Sequence, residues 1–320
     1  MTHLNSRIRQ CTLDSGAAVM MIAAVTIASG CRDSTPDANS ADTEATAADV
    51  QSDPAAATED DSTMQTTTID YRHNGETFEG YLAWNPEVPP PGNSASESDD
   101  QRRPAVLVCH EWWGNNDYSR QRAEDLARLG YVAFALDMYG KGNVTSDPDQ
   151  AGTWARGLYE EPAELRARAR AGYDVLVKHP KVDADRIAVI GYCFGGTVAL
   201  ELARTGAALD AVVCFHTSGL AATNPSDNQN ITGQVLVCHG DADPLVEEEV
   251  IQQFRQQMES AGVPYEFISY PGALHSFTNP AADDVGMDAV GYDEAADTAS
   301  WTDMKQLFAE TIDQPQASGG

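Results

Sequence analysis

Basic residues are scarce in this chain. It has 20 Lys and Arg against 49 Asp and Glu in 320 residues, a formal net charge of -29. So negative a surface repels phosphate backbones and anionic headgroups, which excludes nucleic acid and an anionic membrane face as partners. Long apolar runs are also missing, and the stretch Ala17 to Ala28 is too short for a comfortable bilayer span. No Cys-x-x-Cys pair occurs, so dithiol redox chemistry lacks a resolving partner. His110, His216 and His239 lack a compact ligand spacing such as His-x-x-x-His, so no metal site is expected. No internal repeat is present.

The first thirty residues read as a targeting segment. Arg7 and Arg9 precede the apolar stretch, which ends in Ile27-Ala28-Ser29-Gly30-Cys31. Small residues before a cysteine resemble a bacterial lipobox, with Cys31 as the lipidated N-terminus; an ordinary cleaved signal peptide or a misassigned start codon are the alternatives. Residues 1–31 are thus expected to direct export to the periplasm or cell envelope, with any membrane contact made through the lipid. Residues 32–66 are rich in Ala, Asp, Thr, Ser and Glu and cannot bury enough surface to offset their ordering entropy, which predicts a disordered acidic tether. A folded domain is expected over 67–314, with a flexible tail at 315–320 and a surface loop at Asn93 to Gln101. Oligomeric state is not legible.

The pivotal stretch runs from Arg186 to Leu200. A β-branched apolar run, Ile187 to Ile190, predicts a buried strand, and Thr197 to Ala203 predicts a helix. Between them lies Gly191-Tyr192-Cys193-Phe194-Gly195, the pattern of a nucleophile elbow with cysteine in the place of serine. Side chains at Gly191 or Gly195 would collide with neighbouring backbone, and the dipole of the following helix favours a thiolate at Cys193. The competing structural reading makes Cys193 a small apolar filler at an ordinary strand-to-helix turn.

Strands and helices alternate through the rest. Thr67 to Arg72 and Thr77 to Ala83 flank Asn74-Gly75 and predict a β-hairpin. Buried strands are expected at Pro104–Cys109 and Tyr131–Leu136, and three more strands at Ala211–Phe215, Gln234–Cys238 and Tyr265–Ser269. Helices are expected at Asp117–Leu129, Pro162–Lys178, Leu245–Ala261 and Trp301–Ile312. Tyr139 to Glu161 reads as a long polar excursion, and Asp283 to Asp297 as an acidic surface loop. The alternation implies an α/β class: a mostly parallel sheet with helices on both faces and an antiparallel N-terminal hairpin at one edge.

In such sheets chemistry lies beyond the carboxyl ends of the strands. His110-Glu111-Trp112-Trp113-Gly114, then Cys193, then Asp243, then His275 each follow a strand. Nucleophile, acid and histidine in that order match an α/β-hydrolase triad. His275 would accept the Cys193 proton, Asp243 would hold the imidazole, and the N–H groups of Phe194 and Trp112 would bind the oxyanion. Trp113 and Tyr139 are candidate substrate walls. Each residue also has a structural reading: Asp243-Pro244 alone makes a good turn. Cys109, Cys214 and Cys238 read as buried thiols.

These motifs, with Asp137-Met-Tyr-Gly140, Gly240-Asp-Ala-Asp-Pro244 and His275-Ser-Phe277, resemble the dienelactone hydrolase family over roughly Thr67 to Ile312. The resemblance implies an α/β-hydrolase fold, no cofactor, and hydrolysis of a small ester or enol-lactone substrate of the carboxymethylenebutenolidase type. It implies that Cys193, Asp243 and His275 form the triad and that Glu111 pairs with the cysteine and controls its ionisation. Well-studied relatives anchor a substrate carboxylate with two arginines. One follows His-Ser-Phe, where this chain has Thr278-Asn279-Pro280; Arg156 is the match to the other. A membrane-tethered binding lipoprotein on a non-catalytic hydrolase scaffold is the competing reading.

Overall fold

The computed structural model describes residues 63–92 and 102–314. The expected leader with Cys31, the tether as far as residue 62, the 93–101 loop and the 315–320 tail lie outside the described residues.

Strands β1 (Gln65–His73) and β2 (Glu76–Trp84) form the expected antiparallel hairpin. Asn74 and Gly75 have φ of 48° and 82°, the two positive values that a tight primed turn requires. β1 begins before Thr67: Gln65 and Thr66, assigned to the tether, pair with Trp84 and Ala83. The remaining strands are β3 (Arg103–Cys109), β4 (Val132–Leu136), β5 (Val182–Tyr192), β6 (Ala211–Phe215), β7 (Gln234–Gly240) and β8 (Tyr265–Tyr270). All belong to one sheet in the order β1-β2-β4-β3-β5-β6-β7-β8. β2 runs antiparallel to β4, and every pair from β4 to β8 is parallel.

The helices are α1 (Asp117–Arg128), α2 (Pro148–Glu160), α3 (Pro162–Val177), α4 (Phe194–Arg204), α5 (Glu248–Ala261) and α6 (Glu294–Glu310). Side chains alternate across each strand, so the unbroken apolar runs supply two cores. Leu107, Val189 and Val212 pack with α2, α3, α4 and α5. Val106, Val108, Ile190 and Val213 pack with α1 and α6 on the other face.

Two further expectations are corrected. The excursion after Tyr139 contains α2, whose Asp147 side chain accepts from Asp149 N–H and whose Pro148 sits in the first turn. Its buried stripe is only Ala151, Ala155 and Leu158, too small a signal for periodicity to stand out. The acidic segment Asp283 to Asp297 is not wholly a loop. Asp293 caps α6 by accepting from Ala296 N–H at 2.9 Å, and Asp297 lies in that helix's first turn, paired with Arg122.

Candidate active site

β5 ends at Tyr192 and α4 starts at Phe194, leaving Cys193 as the single residue of the elbow. Its φ of 54° and ψ of -114° lie outside the helical and extended regions, a strained conformation held by its surroundings. The flanking glycines are forced. A Cβ on Gly191 would lie 2.0 Å from the Gly195 carbonyl oxygen, and one on Gly195 2.1 Å from that of Cys109. Among the described non-glycine residues, positive φ is confined to Asn74, Cys193, His216 and Ser276, and the last three follow sheet strands on this side of the fold.

His275, 3 % exposed, points its Nδ1 at Asp243 Oδ2, 2.7 Å away. The other Asp243 oxygen accepts from Leu245 N–H at 2.8 Å, so the carboxylate is held from two sides. The His275 backbone is clamped too: its N–H donates to Ala289 and its carbonyl accepts from Gly291. Burial disfavours the charged imidazole, but its interactions with Cys193 and its hydrogen bond to Asp243 outweigh that, holding the His275 pKa well above the ordinary value. His275 thus touches both Asp243 and Cys193.

Glu111 is buried, and its carboxylate is engaged on the histidine side. Oε1 accepts from Ser276 Oγ at 2.9 Å and Oε2 from Asn279 Nδ2 at 2.6 Å. Burial raises its pKa; these two donors and the charges of His275 and Arg122 oppose that rise. Among the described residues it makes no hydrogen bond to Cys193.

Phe194 is the first residue of α4, where a backbone N–H has no partner within the helix. The Trp112 N–H has no hydrogen-bond partner among the described residues. These are the two expected oxyanion donors. An aromatic wall surrounds them. Trp112 and Trp113 contact at 4.8 Å between centroids, Tyr139 touches Trp154 at 5.3 Å and Phe194 at 5.5 Å, and Tyr159 meets Phe194 edge-on at 5.5 Å. The buried Tyr139 hydroxyl has no partner among the described residues. Asp137 aims this segment by accepting from the N–H groups of Tyr139 and Gly140. Trp113 is itself nearly buried, backing Trp112. Arg156 is exposed on α2 and has no ion-pair partner among the described residues.

Sequence reasoning missed the support behind the histidine. Arg122 Nη2 donates to the Thr278 carbonyl at 2.6 Å and to Asp297 at 2.7 Å. Thr278 Oγ1 meets both Tyr118 Oη at 2.6 Å and His216 Nε2 at 2.7 Å. The His216 ring stands edge-on to His275 at 5.3 Å. Trp154 and Tyr159 were hidden inside the unrecognised α2. Among the described residues His110, His216 and His239 join no His, Cys, Asp or Glu cluster suited to a metal ion.

Comparison with known proteins gives concordant results. The profile of the dienelactone hydrolase family matches residues 93–312. A solved structure called m3DLH is 42 % identical, with a TM-score of 0.72 over 78 % of this chain and 99 % of its own. A dienelactone hydrolase-like promiscuous phosphotriesterase from metagenomic libraries is 37 % identical, with a TM-score of 0.71 over 78 % of this chain and 98 % of its own. A Bradyrhizobium sp protein named "Probable 2-oxo-3-(5-oxofuran-2-ylidene)propanoate lactonase" is 30 % identical over 65 % of this chain and 82 % of its own length. The sheet order, the elbow and the extent of these matches agree on the α/β-hydrolase fold, and the chain belongs to the dienelactone hydrolase family.

Proposed function

We propose that the protein hydrolyses a carboxylic ester or lactone through an acyl-cysteine intermediate on Cys193. The observation that carries this reading is the 2.7 Å contact between His275 Nδ1 and Asp243 Oδ2, which fixes the imidazole beside the elbow cysteine. With Nδ1 held toward Asp243, Nε2 is the ring nitrogen that holds the Cys193 proton, as the imidazolium of a thiolate–imidazolium pair. The sulfur attacks the carbonyl carbon, and the carbonyl π pair moves to oxygen, where the Phe194 and Trp112 N–H groups stabilise it. Collapse breaks the C–O bond to the leaving group, which receives the proton from His275. Water then attacks the thioester with His275 as base, releasing the acid and restoring the thiol. A lactone keeps its leaving group attached and yields a hydroxy acid or the corresponding enol.

The site favours a flat, uncharged acyl group. Trp112, Tyr139, Trp154 and Tyr159 supply aromatic surface. Asn279 carries no charge and is engaged by Glu111, so the position after His-Ser-Phe supplies no cation to a substrate carboxylate. The lactonase name of the Bradyrhizobium relative fits lactones within the substrate class.

A panel of activated esters, lactones and dienelactones, assayed with wild type and Cys193→Ala, tests the reading. Wild type is expected to show a stoichiometric burst and a mass increase on Cys193. Undiminished turnover by folded Cys193→Ala removes Cys193 from the chemistry, and no burst with any ester supports the binding-lipoprotein reading. On sequence grounds we also propose export and lipid attachment at Cys31, which palmitate labelling with cell fractionation tests. A cytoplasmic product that keeps Met1 overturns export, and an exported but unlabelled product overturns lipidation.

A further inference from the structure

His110 is fully buried between two rings of the site, with centroids 5.0 Å from Tyr139 and 6.0 Å from Phe194. Its two nitrogens do different work. Nε2 lies 3.2 Å from Met138 N, and a backbone N–H can only donate, so Nε2 carries the lone pair. The proton is therefore on Nδ1, which donates to the carbonyl oxygen of Glu111. Burial pushes the His110 pKa down to about 4, so the ring is neutral at physiological pH.

The Glu111 carbonyl and the Trp112 N–H belong to one peptide unit. That unit is planar and trans, so its C=O and N–H point in opposite directions. A partner that holds the carbonyl toward the buried imidazole also turns the N–H away from it. The Trp112 N–H is unpartnered among the described residues, whereas the loop around it is tied down: the Trp113 carbonyl accepts from Thr145 N–H at 3.0 Å.

We propose that His110 is a positioning residue for the oxyanion hole, bridging Met138 N–H and the Glu111 carbonyl so that the Trp112 N–H is fixed as a donor to the tetrahedral intermediate. The inference rests on the proposed attack of Cys193 on a carbonyl. Its contribution is preorganisation: the donor is aimed before the charge develops, with no reorientation needed at the moment of reaction.

The experiment compares two reactions of Cys193 in the full chain. Acylation by an activated ester forms an oxyanion; alkylation by iodoacetamide displaces iodide at a saturated carbon and forms none. His110→Leu removes both hydrogen bonds. It is expected to slow acylation by about 10²-fold, the loss typical of one oxyanion donor. KM and the rate and pH profile of alkylation are expected to stay within about twofold. His110→Asn, whose amide can replace Nδ1 as donor to Glu111, is expected to recover a large part of the acylation rate. Should His110→Leu not fold, His110→Gln carries the same expectation, because its longer amide reaches the Met138 side instead. Equal acylation by wild type and the loss variants overturns the proposal, as does a parallel fall in acylation and alkylation, which marks general damage. Failure of the underlying reading looks different: Cys193→Ala then keeps its turnover, and no acyl adduct forms on wild type.

Discussion

His275 Nδ1 and Asp243 Oδ2 meet at 2.7 Å, although 32 positions separate them in the chain. The contact spans the ends of β7 and β8, adjacent parallel strands that bring the two loops to one side of the sheet. Its consequence is a fixed orientation for the imidazole beside Cys193.

Asp243→Asn tests that consequence. The amide oxygen can keep the bond from Leu245 N–H, which turns the amide nitrogen toward His275. Nδ1 must then accept, and the ring proton moves to the nitrogen that should receive the thiol proton. Acylation near pH 7 is expected to fall on the order of 10³-fold with little change in unfolding temperature. Stopped-flow burst kinetics measure this, and a loss below tenfold would leave Asp243 outside the chemistry.

Glu111→Gln separates two roles for the buried carboxylate. Control of the thiol by like-charge repulsion, as the family resemblance implies, requires faster alkylation of resting Cys193 once the charge is gone. The observed bonds to Ser276 and Asn279 place the charge on the histidine side, where it stabilises the imidazolium. We therefore expect iodoacetamide alkylation near pH 7 to slow severalfold in the glutamine variant, and acceleration would restore the repulsion account.

His110 makes a prediction about acid stability. Its folded-state pKa of about 4 lies below the ordinary histidine value of 6.5, so between those pH values the unfolded chain binds a proton that the folded protein does not. Stability must fall as pH drops through that window, and at about 1.4 kcal/mol per pH unit the loss from this residue approaches about 3 kcal/mol. His216, also held well below its ordinary value by burial, adds in the same direction. Urea unfolding of wild type and His110→Asn at pH 7 and pH 4.5 isolates the term: the variant is expected to lose less stability on acidification. Parallel pH profiles would contradict the buried neutral state.

Arg122 ties down the loop that follows His275. Its guanidinium bonds the Thr278 carbonyl and Asp297 and lies over the rings of Tyr118, Tyr192 and Trp301. Arg122→Met leaves Asp297 largely buried without its cation, and a destabilisation of about 3 kcal/mol is expected. Adding Asp297→Ala should return part of that loss, because the stranded charge is then gone. A double variant as unstable as the sum of the two single changes would show that the pair is not coupled.

Much of this molecule was legible in its sequence because the relevant signals are local. The apolar runs of β3, β5 and β6 declare buried parallel strands, and steric exclusion around Cys193 is written as Gly191 and Gly195. The order of Cys193, Asp243 and His275, each just past a strand, suffices to predict their convergence. Tertiary structure alone decided the partners of Glu111, which lie 165 and 168 positions away and carry no mark of that role in their neighbours. It alone revealed α2, whose small buried stripe needs Trp112 and Tyr139 beside it to make packing sense. The tautomer of His110 depends on a backbone N–H in another loop, at Met138, and on the plane of one peptide bond. Strand periodicity and turn chemistry act over a few residues, so sequence determines them directly. Hydrogen-bond partnership among buried groups depends on which strand ends become neighbours, and only the folded sheet makes them so.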